Sequence, residues 1–278
     1  MAHLSCRLPD SLWHALNERA CRDGEPVSHL VAHAVAQFLE VNHATIFQVS
    51  TSSALVEGVY QGAVRVGKLR EHGNLGLGTF DHLDGEMVVV DGEFYQVRAD
   101  GTVSRAADDM LSPFAVVTDF APDHEAALAR CASLTELTAA FDSLRDSPNF
   151  FFALRADGRF ERVHTRAMCR SEEGVPLAEA AAHQPEFEFG PVEGTLVGFW
   201  APQYTKTLNV PGYHLHFVDR ERGRGGHLLE CSSGALELKC QRVTGLTVAL
   251  PETADFIKAD FSRDPSAALA YAEQEHRK

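Results

Sequence analysis

Three histidines at short spacing offer the clearest chemistry in this sequence. His214 and His216 alternate with apolar residues, and His227 follows a pair of glycines. Because side chains in a strand alternate between its two faces, His214 and His216 are predicted to share one face. The polar segment 219–226 predicts a turn that brings His227 back beside this pair on an antiparallel strand.

Such a set of side chains is typical of a metal site. Zinc in a catalytic site keeps about three protein ligands and an open position, whereas a structural zinc site has about four. Imidazole also binds copper, iron and nickel, so Zn²⁺ is the expected ion and another divalent transition metal is the alternative. A single histidine is more often an ordinary core or surface residue. The spacing of the whole set favours a shared metal ion over unrelated side chains.

The residues around these histidines resemble a known family. The runs 194–202, 209–217 and 225–227 are similar to segments of the α-acetolactate decarboxylases, and the resemblance covers about residues 45–278. It implies a carbon–carbon lyase that converts 2-acetolactate, a 2-hydroxy-3-keto acid, to acetoin and CO2. It also implies that the histidines hold a zinc ion.

The same resemblance implies further site residues. It places Thr79 and Glu86 in positions that face the metal. It gives Arg166, at the end of a strand, the role of a functional arginine. Glu273 matches a carboxylate that returns from the carboxy terminus, with Glu275 as its rival. Without the resemblance, Glu86 and Arg166 would also fit solvated residues or salt-bridge partners on the surface.

The implied reaction sets requirements for these residues. Loss of CO2 from acetolactate leaves an enediolate, whose negative charge requires a Lewis acid such as zinc at the ketone oxygen. An arginine fork matches a carboxylate in bidentate geometry, which suits Arg166 for holding and orienting that group. A carboxylic acid must then protonate one face of the enediolate. Glu86 and Glu273 are both candidates, and the sequence does not rank them.

Composition excludes several other classes of protein. The chain has 278 residues, of which 45% are hydrophobic and 23% charged, as is ordinary for a globular protein. Its net charge of −14 argues against a broad nucleic-acid surface, because phosphate binding depends on clustered lysine and arginine. No apolar run approaches the roughly 18 residues of a membrane span, and the amino terminus lacks a signal-peptide pattern. A cytoplasmic protein without membrane contact is expected.

The cysteines predict the same compartment. None belongs to a Cys-x-x-Cys pair, and a chain of this size does not need disulfides to be stable, so free thiols in a reducing environment are expected. The cysteines are Cys6, Cys21, Cys131, Cys169, Cys231 and Cys240.

Residues 1–43 form a predicted separate module. Alternation over residues 3–8 predicts a strand, a helix is expected from Pro9 to about Cys21, and a second helix is expected to begin with Ser28 as N-cap. This order resembles a ribbon-helix-helix module, which is too small to bury its own core and implies a homodimer. The module could read DNA or serve only for dimerisation. Its three arginines against five carboxylates favour dimerisation.

Residues 44–278 are predicted to form the catalytic region. The expected fold class is α/β of the α+β type, with mostly antiparallel and mixed β-sheets around a metal cleft and the strand-helix-helix module appended. Strands are expected over 45–50, 86–90, 194–200, 235–241 and 244–250; a hairpin over 150–166 that turns at Asp157-Gly158; and helices over 133–145, 175–184 and from Asp264-Pro265 through Glu273.

Two other functions fit parts of the pattern. The amino-terminal module could read DNA while the remainder senses a ligand, which would make the protein a metal-binding regulator without turnover. The metal site could also serve a decarboxylase or isomerase that acts on a related 2-hydroxy-3-keto acid.

Overall fold

The computed structural model describes residues 5–23, 26–39 and 44–273. Contacts divide the chain into two compact units, Met1–His43 and Ala44–Lys278. Within the described ranges, none of the helices combines the length and the apolar character that crossing a membrane requires.

The smaller unit contains the two predicted helices, α1 (Asp10–Asp23) and α2 (Val27–Phe38). The predicted N-cap of α2 is wrong: the helix follows Pro26, whose extended backbone and fixed φ suit the position before a first turn. Residues 5–8 form no strand within this chain, and the rest of the predicted strand lies outside the described residues. A strand requires a hydrogen-bonded neighbour, which a ribbon would take from a second chain.

Both helices of the smaller unit expose large apolar side chains. Leu12 and Trp13 of α1 are about half exposed, and Phe38 at the end of α2 is 87% exposed. Val35 and Leu39 are also exposed. The two helices therefore carry apolar side chains that contacts within this unit do not cover.

The larger unit contains the remaining helices and the strands. Its helices are α3 (Ser52–Val56), α4 (Val66–Arg70), α5 (Leu134–Leu144), α6 (Leu177–Ala181), α7 (Ala254–Lys258) and α8 (Ser266–Glu273). Its strands are β1 (Thr45–Val49), β2 (Val64–Arg65), β3 (Leu75–Thr79), β4 (Glu86–Val90), β5 (Glu93–Val97), β6 (Val103–Arg105), β7 (Leu111–Ser112), β8 (Ala115–Thr118), β9 (His124–Leu128), β10 (Phe151–Arg166), β11 (Glu186–Phe189), β12 (Val192–Ala201), β13 (Gly212–Asp219), β14 (Gly225–Val243) and β15 (Gly245–Ala249).

Two large sheets form the framework of this unit. The first has seven strands in the order β15-β1-β8-β3-β4-β5-β6, and only the β1–β15 pair is parallel. The second has six antiparallel strands in the order β11-β10-β12-β13-β14-β9. Because β10 also pairs with β14, the strands β10, β12, β13 and β14 close on one another. The predicted mixed α/β fold with mostly antiparallel sheets is confirmed.

The predicted hairpin over 150–166 is wrong, because β10 is one continuous strand. Asp157 and Gly158 do not turn the chain; the register with β14 shifts between Gly158 and Phe160. A Cβ at Gly158, where φ is +149°, would lie 2.5 Å from the carbonyl oxygen of Ala235. Asp157 and Gly158 therefore lie at an irregularity of the sheet and not at a turn. The glycine is needed there because the backbone of β14 approaches closely.

The strand predicted over 235–241 is part of the longer β14, which pairs with β10 through the same region. Helix α6 (Leu177–Ala181) is shorter than the helix predicted over 175–184, whereas the remaining elements of the larger unit agree closely with their predictions. Helix α5 is capped by Ser133, whose hydroxyl accepts a hydrogen bond from Glu136 N, and β4 begins and ends at the predicted residues. No disulfide joins the cysteines, all of which lie in the described ranges.

An apolar core joins the two large sheets. Val88 and Val90 of β4, together with Val197 and Phe199 of β12, belong to one buried cluster. Leu269 of α8 lies in the same cluster. The packing therefore brings the carboxy-terminal helix and both sheets to one place, where the predicted site residues meet.

Candidate metal centre and active site

The predicted histidines lie together in the six-stranded sheet. His216 on β13 and His227 on β14 are directly opposite each other, and His214 precedes His216 by two residues in the same strand. The ring centroids are 5.0 to 5.3 Å apart, and all of the rings are buried. The polar segment between the strands reverses the chain as predicted, which places His227 beside the pair.

The nitrogen atoms of this cluster suit a metal ion. One ring nitrogen from each histidine can be chosen so that all lie within 4.8 Å of one another. His216 Nδ1 is 2.8 Å from the carbonyl oxygen of Met87, which can only accept, so Nδ1 carries the proton and Nε2 the lone pair. His216 Nε2 and His214 Nδ1 are buried without a hydrogen-bond partner among the described residues. Buried polar atoms are normally satisfied, so these unpartnered nitrogens fit a metal-binding role.

Burial keeps the cluster neutral. It lowers the pKa of His214 to about 3, with the positive charge of Arg166 as the second cause. Burial likewise holds the pKa of His216 and of His227 well below the ordinary histidine value. At neutral pH each ring is therefore uncharged, with one protonated nitrogen and one nitrogen whose lone pair is available to a cation.

Two glutamates from different elements approach the histidines. Glu86 begins β4, and its Oε2 lies 3.6 Å from His216 Nε2 while its Oε1 accepts a hydrogen bond from Met168 N at 3.1 Å. Glu273 ends α8, and its Oε2 lies 3.3 Å from His227 Nε2. Burial raises the pKa of Glu86 to about 7 and also raises the pKa of Glu273. Both carboxyl groups are thus more easily protonated than exposed glutamates.

Arg166 is brought to the same place by β10. It is directly opposite His227 in the β10–β14 pair, and only 3% of its surface is exposed. Its Nη1 donates a hydrogen bond to Gln184 Oε1 at 2.8 Å, and its Nη2 lies 3.8 Å from Glu273 Oε1. The distance to the carboxylate exceeds that of a hydrogen bond, so the guanidinium keeps donors for an anionic ligand.

Thr79 lies next to the predicted glutamate, and its hydroxyl is engaged by the backbone. It pairs with Glu86 across β3 and β4, and its hydroxyl donates to the carbonyl oxygen of Gly85 at 2.7 Å. The side chain therefore supports the turn that precedes Glu86. Its approach to a metal ion stays a prediction, and Glu275, the rival of Glu273, lies outside the described residues.

A small cavity of about 60 Å³ lies between the predicted site residues of the two sheets and α8. Its polar lining comes from both sheets and from α8, whereas its remaining walls are mainly apolar. The lining residues are Leu55, Gly78, Thr79, Leu83, Glu86, Phe114, Arg166, Met168, Leu177, Val210, His214, His227, Leu269, Ala272 and Glu273. Such a buried space with a few convergent polar groups suits a small polar molecule.

Sequence reasoning missed the groups that hydrogen-bond the site residues, because these groups are far from their partners in the sequence. Gln184 holds Arg166, the Met168 amide holds Glu86, and the Met87 carbonyl holds the ring of His216. Two of these supports are backbone groups, which carry no residue-type signal. Gln184 belongs to no recognisable motif, so only the three-dimensional contact identifies it.

Comparison with known proteins gives consistent matches. The family described as Alpha-acetolactate decarboxylase matches residues 46–263. An α-acetolactate decarboxylase of Methanosarcina mazei is 40% identical over 230 residues, covering 82% of this chain and 80% of the relative. One of Bacillus licheniformis is 36% identical over 235 residues, covering 84% of this chain and 93% of the relative.

A solved structure agrees with these sequence matches. The crystal structure of α-acetolactate decarboxylase from Bacillus subtilis strain 168 superposes with a TM-score of 0.81 at 36% identity. The match covers 83% of this chain and 100% of that chain.

Proposed function

This chain belongs to the α-acetolactate decarboxylase family, and we propose on that premise that it converts 2-acetolactate to acetoin and CO2 with a bound Zn²⁺ ion. Family membership makes the protein a decarboxylase, a carbon–carbon lyase with a small-molecule substrate. The identity of the ion and the roles of individual residues are part of the proposal.

One observation carries these finer assignments. Three neutral imidazoles, one guanidinium and two carboxyl groups meet at a single buried site, although they come from β4, β10, β13, β14 and α8. A structural role does not require so many titratable groups to be removed from water together, because burial of charge is costly.

His214, His216 and His227 would hold the ion through neutral nitrogens. When bound, the ion supplies a Lewis acid that stabilises negative charge on the substrate oxygens as CO2 departs. The hydrogen bond from His216 to the Met87 carbonyl fixes the orientation of that ring. Imidazole donors in a buried site favour Zn²⁺ over a hard cation such as Mg²⁺, because hard cations prefer oxygen ligands.

Arg166 would bind and orient the carboxylate that is lost. Its guanidinium can donate two parallel hydrogen bonds, which fix the plane of a carboxylate. Bond breaking is favoured when the carboxylate stands perpendicular to the plane of the neighbouring carbonyl group. Arg166 contributes by holding that orientation, since equal stabilisation of bound substrate and transition state would give no acceleration.

Glu86 would supply the proton that completes acetoin. It lies on a strand, and Met168 N holds one of its oxygens. A pKa raised to about 7 by burial allows this carboxyl group to hold and release a proton near neutral pH. Glu273 is the alternative donor, because it lies 3.3 Å from His227 on the helix that lines the same cavity.

The smaller unit has a proposed role in self-association. Residues 1–43 would form a dimerisation module, because their two helices expose apolar side chains that a second copy could cover. Binding of DNA is not favoured, since this segment contains three arginines against five carboxylates and no lysine.

Release of CO2 from 2-acetolactate by the purified, zinc-loaded protein tests the proposed reaction. Turnover that disappears on chelation of the metal and returns with zinc is the expected result. The same assay with a substrate that carries an ethyl group in place of the methyl group measures the preference within this class of acids. Absence of turnover by the zinc-loaded protein, together with selective binding to DNA, would support the regulator instead.

A further inference from the structure

Arg166 has one hydrogen-bonded side-chain partner among the described residues, the amide of Gln184. The bond runs from Arg166 Nη1 to Gln184 Oε1 at 2.8 Å. The facing atom must be the amide oxygen, because a guanidinium has only donors. The carboxylate of Glu273 lies 3.8 Å from Nη2, too far to fix the plane of the guanidinium.

Local structure holds Gln184 beside the strand that carries Arg166. Gln184 follows α6, and its backbone N–H donates to the carbonyl oxygen of Ala181. The next residue, Pro185, accepts a hydrogen bond from Ala167 N at 3.2 Å, and β11 then pairs Glu186 with Arg166. The backbone on both sides of Gln184 is thus anchored, which places its amide at the guanidinium.

Because the Gln184 side chain is uncharged, it leaves the positive charge of Arg166 in place. A carboxylate at position 184 would form a charge-assisted pair with Arg166 and would compete with an anionic ligand for it. An amide oxygen orients the guanidinium without neutralising its charge. Arg166, which lines the cavity, has a buried Nε without a hydrogen-bond partner among the described residues, so its guanidinium keeps a donor for such a ligand.

We propose that Gln184 is a positioning residue, which orients Arg166 and leaves its positive charge available to the carboxylate of the substrate. The inference rests on the proposed function, because it takes Arg166 as the group that binds this carboxylate. Gln184 touches Arg166 and does not touch the reacting atoms.

Two substitutions change Gln184 in different ways, one by removing the group that orients Arg166 and the other by adding a charge beside it. Gln184→Leu removes the acceptor and keeps a similar volume, whereas Gln184→Glu keeps the acceptor and adds a competing charge. Both should lower kcat/KM roughly tenfold or more, the size expected for loss of one hydrogen bond to a charged group. Gln203→Glu is the matched control, because Gln203 is exposed and does not line the cavity, so the same charge is added elsewhere.

Binding of two ligands to the zinc-loaded protein provides the readout that a merely structural role would not change. Calorimetry is performed with 2-hydroxy-2-methylpropanoate, which carries a carboxylate, and with acetoin, which is neutral. In both variants we expect the Kd of the anion to rise roughly tenfold and the Kd of acetoin to stay within about twofold. The control should bind both ligands as the wild type does.

The outcomes distinguish this inference from the proposed function. Equal weakening of both ligands, or no change for either, would overturn the role of Gln184 while wild-type turnover still supports the decarboxylase. A wild-type protein that neither releases CO2 from acetolactate nor binds the anion would overturn the proposed function itself. Zinc content and thermal unfolding establish that each variant is folded, and Gln184→Met replaces the leucine variant if that one is not.

Discussion

At the scale of single residues, the orientation of the His216 ring depends on a group in the other large sheet. His216 donates to the carbonyl oxygen of Met87, whose neighbour in β4 is Glu86. Two consecutive residues of one sheet therefore support the site, one through its backbone and one through its carboxyl group. The orientation of His216 consequently depends on the packing of the two sheets against each other.

Replacing His216 by Ala should remove most of the bound zinc and most of the activity together. The protein should stay folded, because the site lies at the edge of a large apolar core. Atomic emission measures the zinc content, and circular dichroism measures the fold. His124→Ala on β9, outside the cluster, is the matched control. Full zinc retention in the His216 variant would show that His216 is not a metal ligand.

Replacing Arg166 by Lys should reduce kcat/KM by about a hundredfold, the size expected when a reacting group is mispositioned, while zinc content is unchanged. Lysine keeps the positive charge but loses the planar fork that binds a carboxylate in bidentate geometry. Steady-state kinetics and metal analysis on the same preparation measure both effects. Arg159→Lys changes an exposed arginine of the same strand and should be neutral. Wild-type kinetics in the Arg166 variant would mean that this residue has only a structural role.

Replacing Glu86 by Gln should abolish most turnover while zinc stays bound. The amide has nearly the shape of the carboxyl group but cannot release a proton at neutral pH. The rate of CO2 release and the enantiomeric excess of acetoin are the measurements. Glu273→Gln is the comparison. If that variant loses turnover and the Glu86 variant does not, then Glu273 is the proton donor.

At the scale of elements, the close approach of β12 and β13 holds two of the histidines in place. Gly198 of β12 lies opposite Leu215, which stands between His214 and His216. A Cβ at position 198 would lie 2.1 Å from the carbonyl oxygen of His214. The missing side chain at Gly198 therefore allows β13 to lie where its histidines meet His227.

Replacing Gly198 by Ala should weaken zinc binding although no ligand is changed. The added methyl group must push β13 away, and forced overpacking in a core typically costs about 1–3 kcal/mol of stability. Zinc affinity and thermal unfolding are the measurements. Gly223→Ala in the turn before His227 is the control, because no atom lies within 4 Å of a Cβ placed there. Equal zinc affinity in both variants would contradict this role of Gly198.

At the scale of the whole molecule, the proposed chemistry and the smaller unit occupy separate parts of the chain. Every proposed site residue lies beyond residue 44, in the larger unit. The smaller unit exposes apolar residues such as Trp13 and Phe38 on its two helices. This separation predicts that self-association and catalysis can be tested independently.

Deleting residues 1–43 should weaken self-association and leave CO2 release within about twofold of the full chain. Sedimentation measures the first effect, and the acetolactate assay measures the second. A salt-dependent DNA-binding assay on the full chain accompanies them, because phosphate binding weakens steeply as salt increases. Tight, sequence-selective binding at about 150 mM salt would contradict a module that serves only for dimerisation.

The sequence by itself determined the relations that follow from local periodicity. Two histidines separated by one residue must share a face of any strand, and a polar turn returns the next strand beside them. Helix α5 and strand β4 were likewise predictable, since a capping residue and flanking turns mark their ends. The prediction of a turn at Asp157-Gly158 is wrong because a local pattern does not show whether neighbouring strands continue past it.

Only the tertiary structure decided which distant groups meet the histidines. Glu86 contacts His216 across the space between two sheets, Gln184 reaches Arg166 through the segment after α6, and Glu273 arrives on the last described helix. These contacts depend on how sheets and helices pack, and packing is set by apolar burial summed over many residues. No spacing within the sequence encodes such distances. The local pattern therefore predicts the candidate metal ligands, whereas the fold brings Glu86, Arg166 and Glu273 to them.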